Sequence, residues 1–229
     1  MLSAHGLSAM RFLFQEYKSR VPVRYVSADK WKDEFFFCLL GGYGITFELN
    51  QSAFQILDGL SYFDAKWYTN GQSDLALLLE RELNARQFLP VTSSGDLRRY
   101  RYPKRKARMI EQAGKWLYRR CQFRIASLCQ GEPRKTREAF LECPGVGYKT
   151  ASWFLRNIGL GTELAILDVH VLRFLVDFDI IPTRLEGHSD YEAIEQLYLD
   201  ACHVIGATPE QMDLILWHWS RGTSFVGHD

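Results

Sequence analysis

Two short segments carry most of the information in this chain: Pro144-Gly145-Val146-Gly147-Tyr148-Lys149, and Asp168-Val169-His170, which begins nineteen residues after the lysine. The first lies between two segments of helical period, so its glycines are expected to form a tight hairpin with positive φ angles and bare backbone. The N–H groups that open the next helix can then approach a phosphate, and the helix dipole favours an anion there. The pattern predicts a clamp for a nucleic-acid backbone, and the lysine and aspartate beside it suggest an enzyme.

The charge of the chain is small in total but uneven in its distribution. The 229 residues are 47% hydrophobic, enough for the core of one compact body or two small lobes, and the net charge is +1. Residues 98–120 contain ten Lys or Arg and one acid, whereas residues 186–213 contain seven acids and no Lys or Arg. A basic face balanced by an acidic one suits directional binding of a polyanion.

The cysteines exclude two common classes of small protein. There are five, they form no C-x-x-C pair, and they indicate neither a zinc site nor a disulfide framework.

The sequence has no apolar region of signal-peptide type and no apolar run near ~18 residues. We therefore expect an intracellular protein, cytoplasmic or associated with the nucleoid, with free thiols and no contact with a membrane.

Helical period dominates the rest of the chain and predicts an all-α fold. The basic segment after Pro103 has an apolar stripe, and Thr208-Pro209-Glu210-Gln211 combines an N-cap with a proline at the first helical position. A weak strand is predicted at Val21–Ser27. Helices are expected roughly at 7–19, 31–40, 47–60, 74–88 and 135–142, and after Pro103, Lys149, Asp168, Ser189 and Thr208.

The hairpin, its lysine and the aspartate together resemble the helix-hairpin-helix DNA glycosylase superfamily, and most closely its 8-oxoguanine DNA glycosylase branch. The similarity is sharp over 133–180 and weaker over Phe35–Ile45 and Met212–Phe225. It implies an all-α, two-lobed helix-hairpin-helix DNA glycosylase fold. The expected lobes are an N-/C-terminal lobe, 1–90 plus 186–229, and a central lobe, 91–185, with the hairpin at 134–159.

The resemblance also implies an activity, namely base excision repair of 8-oxoguanine in duplex DNA, with AP lyase activity, by a monomer. Its catalytic residues would be Lys149 and Asp168, and the chemistry of these two groups agrees. A lysine amine can attack the sugar C1′, displace the base and leave a Schiff base that permits β-elimination, while a carboxylate stabilises the developing positive charge. The helix N-terminus at Lys149 is expected to lower the pKa of its amine.

Other residues are assigned to DNA contacts by the same resemblance and by their types. Each also has an ordinary structural alternative: Asp168 as a helix N-cap, Lys149 as a phosphate contact, and Tyr43 as a loop residue packed on the core. The aligned position of Tyr43 fills the gap left by an everted base. The backbone contacts expected are Gly145, Val146, Gly147, His170, Arg101 and Arg105, and the base-pocket or wedge residues are Tyr43, Trp217 and Phe225.

No metal is required by this chemistry, and no cofactor is expected. The iron–sulfur branch of the superfamily needs four cysteines near its C-terminus, whereas Cys202 alone follows Cys143 here. A structural monovalent cation at the hairpin is compatible with the resemblance. Two alternative functions remain. The first is a glycosylase for another modified base, because the sequence ends at Asp229 where compact archaeal enzymes tend to have lysine. The second is a non-catalytic helix-hairpin-helix DNA-binding protein. Phosphate binding needs neither Lys149 nor Asp168, which disfavours the second.

Overall fold

The structure, a computed structural model, describes residues 2–69, 74–181 and 190–222, and their regular structure is helical. Two short 3-10 turns occupy Ala28–Lys30 and Ile125–Ser127. The helices are α1 (Ala4–Tyr17), α2 (Trp31–Leu40), α3 (Phe47–Gly59), α4 (Lys66–Thr69), α5 (Leu75–Asn84), α6 (Pro103–Cys121), α7 (Pro133–Leu141), α8 (Tyr148–Asn157), α9 (Val169–Asp177), α10 (Tyr191–Ile205) and α11 (Pro209–Ser220). The all-α prediction is confirmed.

The strand predicted at Val21–Ser27 is wrong. Residues 22–27 are irregular, because no neighbouring segment offers them a ladder of hydrogen bonds. Within the described ranges the only β-type pairing is a single antiparallel bridge between Phe88 and Arg98. The predicted N-cap Ser189 lies outside the described residues, while Thr208 caps α11 as predicted, accepting a 3.3 Å hydrogen bond from the N–H of Gln211.

The contacts divide the chain into two units, residues 26–150 and residues 1–25 with 151–229. These bounds differ from the expected lobes, because α2 to α5 pack in the same unit as α6 rather than with the C-terminal helices. The core of the 26–150 unit is rich in aromatic rings: Phe36 stacks on Phe63 with ring centroids 4.5 Å apart, and Phe35 contacts Phe140. Apolar burial of this kind is the main driving force for folding.

The other unit is built from α1, α9, α10, α11 and most of α8. Helix α1 packs on α10 and α11, and α9 packs on α11. Phe174 of α9 meets Trp219 of α11 edge to face, with centroids 5.5 Å apart. The polar groups that support Asp168 lie in this unit, whereas the hairpin and Lys149 lie in the other.

Candidate active site

The hairpin between α7 and α8 is closed by its own backbone. The N–H of Val146 donates a 3.0 Å hydrogen bond to the carbonyl oxygen of Cys143. Gly145 has a φ of +85°, and a Cβ there would lie 2.8 Å from Cε of Met109. Two independent features therefore require glycine at position 145: the left-handed backbone and the close approach of α6. The positive φ predicted for Gly145 is confirmed, but the one predicted for Gly147 is wrong.

Gly147, immediately before α8, has open space on its outer side. A Cβ built there meets no atom within 4 Å, and its N–H donates no hydrogen bond to any described residue. The first N–H groups of a helix have no partner within the helix, so the start of α8 is suited to an anion. Val146 differs, since its N–H closes the turn and its side chain is 9% exposed. The geometry therefore favours Gly147 over Val146 as a phosphate donor.

Lys149 is the second residue of α8 and is half-buried. The preceding Tyr148 lies under the guanidinium of Arg137, with the charged carbon 5.0 Å from the ring centroid, and Arg137 is 1% exposed. Lys149 also interacts with a second lysine, Lys106 of α6. Burial lowers the pKa of Lys106 to about 7, with the charges of Lys149 and Arg105 as further causes.

Asp168 is the N-cap of α9. Its Oδ1 accepts hydrogen bonds of 2.8 Å from the N–H of His170 and 2.9 Å from the N–H of Val171. Its Oδ2 makes no hydrogen bond with any described residue, and the side chain is half-buried. The cap fixes the orientation of the carboxylate by one oxygen and leaves the other for a substrate.

The three residues before Asp168 are held by buried side chains from α10 and α11. The N–H of Ala165 donates to Glu195 Oε1 at 3.0 Å and that of Ile166 donates to Asp213 Oδ2 at 2.9 Å. The hydroxyl of Tyr191 accepts from the N–H of Leu167 and donates to the carbonyl of Ala165. These contacts fix the backbone that ends in Asp168, because buried polar groups are costly to leave without partners.

Asp213 is the centre of this buried network. Its Oδ2 also accepts from Nη1 of Arg156 of α8, at 3.0 Å. Burial raises the pKa of Asp213 to about 7, the charge of Asp168 raises it further, and Arg156 and the N–H of Ile166 oppose the shift. Sequence reasoning missed this role and assigned the acids of 186–213 to a surface. That interpretation is wrong for Glu195, Glu210 and Asp213, which are 1%, 6% and 3% exposed. The missed signal was acidic residues at core positions of apolar helices.

Tyr43 lies in the loop after α2 and is 77% exposed. The guanidinium carbon of Arg101 lies 5.7 Å from the centroid of its ring and 4.9 Å from that of Tyr102. Nη1 of Arg101 also donates to the carbonyl of Gly44 at 3.3 Å. The exposed ring rules out a Tyr43 packed on the core, and Arg101 forms part of the same loop surface.

The start of α6 provides a basic groove of about 540 Å³, lined by Arg105, Arg108 and Met109 among others. Met109 contacts the position of Gly145, so the groove adjoins the hairpin. The basic face is smaller than the sequence predicted, since Lys106 is buried at 6% exposure.

A family model for 8-oxoguanine DNA glycosylase (Ogg-HhH) matches residues 13–207, most of the chain. The chain belongs to this family. The resemblance inferred from the hairpin, Lys149 and Asp168 is thereby confirmed.

Individual relatives agree with the family. The 8-oxoguanine DNA glycosylase/AP lyase of Thermotoga petrophila is 34% identical over 126 residues, which are 54% of this chain and 58% of that relative. The first curated relatives are thus matched over little more than half of their length. The enzyme of the same name from Sulfolobus acidocaldarius is 28% identical over 84% of this chain and 83% of its own.

Solved structures show the same glycosylase fold. The 8-oxoguanine DNA glycosylase of Thermotoga maritima gives a TM-score of 0.66 at 24% identity, covering 95% of this chain and 96% of that one. The Methanocaldococcus jannaschii 8-oxoguanine glycosylase/lyase, in complex with a 15mer DNA containing 8-oxoguanine, gives 0.60 at 24% identity, covering 95% and 90%.

The remaining residues expected from the glycosylase family are His170, Trp217 and Phe225. His170 is half-buried and Trp217 of α11 lies under Arg221, 4.4 Å from guanidinium carbon to ring centroid. Phe225 lies outside the described residues. All five cysteines are free thiols. Within 2–69, 74–181 and 190–222 there is no group of three His, Cys, Asp or Glu that could hold a metal ion, and no helix long and apolar enough to cross a membrane.

Proposed function

We propose that this chain excises 8-oxoguanine from duplex DNA and then cleaves the strand as an AP lyase. The observation that carries the proposal is the retention, in a member of the 8-oxoguanine DNA glycosylase family, of a lysine at the start of α8 and of an N-capping aspartate with one unengaged oxygen. Relatives named 8-oxoguanine DNA glycosylase/AP lyase support both halves of the activity.

In the proposed reaction the amine of Lys149 attacks C1′ of the damaged nucleotide. The C1′–N9 bond breaks, its electron pair leaves with the base, and the base takes up a proton. Loss of a proton from nitrogen and opening of the sugar give a Schiff base between Nζ and C1′. Removal of a C2′ proton then expels the 3′ phosphate by β-elimination. No metal, cluster or other cofactor enters these steps; a monovalent cation at the hairpin stays a prediction.

The place of Lys149 supports it as the nucleophile, since it is the second residue of α8 and follows the open backbone of Gly147, where a phosphate would bind. Its primary amine can form a Schiff base with a sugar carbon. Asp168 is assigned the stabilisation of positive charge on the sugar, through the Oδ2 atom that the α9 cap leaves unengaged.

The proposed binding of DNA uses backbone and side chains. The N–H of Gly147 and the start of α8 would bind a phosphate, with Arg105, Arg101 and His170 contributing charge or hydrogen bonds. Tyr43 would fill the space of the everted base, and Trp217 would lie at the base pocket. Action on chromosomal DNA would place the protein at the nucleoid.

A panel of duplexes tests the function and the base together. We expect single-turnover excision of 8-oxoguanine opposite cytosine to exceed excision of guanine in the same duplex by at least about a thousandfold, measured by strand cleavage with and without alkali. Formamidopyrimidine and uracil duplexes identify a glycosylase for another base. If no modified base is released faster than guanine, the proposed function is wrong.

The two hairpin glycines give a matched pair of variants. Gly147→Val is expected to fold normally, because its Cβ meets open space, but to weaken binding of damaged and undamaged duplex alike by at least about tenfold. Gly145→Ala, in contrast, should lower the unfolding free energy by about 1–2 kcal/mol through its left-handed backbone, before the clash with Met109 is added. Thermal melting and fluorescence anisotropy separate the two effects. If Gly147→Val weakened the binding of damaged duplex and not that of undamaged duplex, the hairpin would be recognising the lesion itself.

A further inference from the structure

Lys106 belongs to the basic segment of α6, yet it is only 6% exposed. Its Nζ donates a 2.7 Å hydrogen bond to the carbonyl oxygen of Leu39 and a 2.6 Å hydrogen bond to that of Gly41. The charged groups that influence it, Lys149 and Arg105, are both cationic. Lys106 is therefore a buried amine held by the carbonyl oxygens of Leu39 and Gly41 at the C-terminal end of α2.

A buried lysine at the end of a helix carries a cost in desolvation free energy. The last carbonyl groups of a helix are commonly satisfied by water or by a tightened last turn, which costs no buried charge. Burying an ammonium without a carboxylate partner is unfavourable, and desolvation is the first cause of the lowered pKa of Lys106. A lysine commonly caps the last carbonyl groups of a helix, but an exposed one does so without this desolvation cost. The burial of Lys106 therefore directs attention to the other segment that it holds, the loop after α2.

That segment is the loop Gly41-Gly42-Tyr43-Gly44, which follows α2. Three glycines give such a loop many alternative conformations. Lys106 holds its first residue through the carbonyl of Gly41, and Arg101 holds its last through the carbonyl of Gly44. Between these two anchors Tyr43 is 77% exposed.

We propose that Lys106 is the positioning residue for Tyr43: by fixing the backbone of this loop, it holds the ring in the orientation from which it enters the base stack when a nucleotide is everted. The inference rests on the proposed function. A loop that is ordered beforehand does not lose conformational entropy on binding, whereas a glycine-rich loop without its anchor would. Lys106 acts through the loop and touches no substrate.

The test compares a paired lesion, whose eversion costs free energy, with a lesion in an unpaired bulge, whose eversion costs little. In Lys106→Met, which keeps an unbranched and only slightly shorter side chain but removes the amine, single-turnover excision of 8-oxoguanine paired with cytosine should fall at least about tenfold. Most of the loss should disappear when the lesion lies in an unpaired bulge, since eversion then costs little. Tyr43→Ala should show the same split, and the double variant should be no slower than the slower single variant. The control is Lys66→Met, which changes an exposed lysine of α4 outside the basic groove.

Three results would overturn the inference. These are equal losses on paired and bulged lesions in Lys106→Met, additive losses in the double variant, and failure of both Lys106→Met and Lys106→Gln to fold, which would assign Lys106 to stability. An equal loss on paired and bulged lesions in Tyr43→Ala would be a fourth such result, because the loop would then have no role in eversion. The fluorescence of 2-aminopurine beside the lesion reports eversion without bond cleavage. A wild-type protein that everts but excises nothing would therefore contradict the proposed function and leave this inference standing.

Discussion

Replacing Lys149 by alanine is expected to abolish the covalent complex that borohydride traps between the wild-type protein and DNA containing 8-oxoguanine. Only a primary amine forms the Schiff base that borohydride reduces, and β-elimination depends on the same intermediate. Alanine is the best helix former, so α8 should keep its start. Denaturing gels of the trapped complex and of strand cleavage measure both losses, which should reach the limit of detection.

The matched control for this variant is Lys66→Ala, which removes an exposed lysine of α4 outside the basic groove and should leave trapping unchanged. A variant of Lys106 is a more stringent control, because this lysine interacts with Lys149 and yet is buried against Leu39 and Gly41. Trapping should survive in Lys106→Met, although its rate falls with the excision of paired lesions. Trapping that persists without Lys149 would reduce that residue to a phosphate contact, and the cross-linked peptide would then identify the true nucleophile.

Asp168→Asn is expected to slow base excision by at least about a hundredfold, or about 2.7 kcal/mol of transition-state stabilisation, while duplex binding is retained. The amide keeps the size of the side chain and removes the negative charge that would face the sugar. Single-turnover excision and fluorescence anisotropy measure the two quantities. Near-normal excision by the variant would leave Asp168 as a helix cap only.

The capping role of Asp168 can be separated from the catalytic one by a second substitution. Asparagine caps a helix about as well as aspartate, so Asp168→Asn should melt close to the wild type. Asp168→Ala loses both hydrogen bonds that Oδ1 accepts from the N–H groups of His170 and Val171, and should be destabilised by about 1 kcal/mol. Equal excision defects with unequal melting temperatures would show that the carboxylate acts on the reaction and not through the stability of α9.

Local patterns were enough to predict the hairpin and most of the helices, although α4 (Lys66–Thr69) was not predicted. Period and capping residues act within a few positions, as at Thr208 and Pro103, and the glycine at 145 follows from the geometry of a tight turn. Asp168 could be assigned only when combined with Lys149, because an aspartate before a helix is usually just a cap. The resemblance to the family provided the substrate, which no spacing of residues could indicate.

The supporting residues could not be predicted, because their roles depend on which helices pack together. Glu195 and Asp213 look like surface acids in sequence, and only the packing of α10 and α11 shows that they hold the backbone before Asp168. Lys106 is similar: one basic residue among ten becomes buried when α6 packs beside the end of α2. The false strand at Val21–Ser27 has the same cause, since a β-strand requires a partner that local sequence cannot supply.

The close spacing of Gly147 and Lys149 has a consequence for how the protein would move along DNA. Gly147 immediately precedes α8 and Lys149 is the second residue of α8, so an anchored phosphate would set the place of the amine along the strand. Successive nucleotides of one strand are about 3.4 Å apart along the duplex axis. If the start of α8 bound the neighbouring phosphate instead, the sugar of a different nucleotide would lie at the amine of Lys149. The start of α8 would thus fix the register of the protein on the strand, and the protein would inspect the strand one sugar at a time.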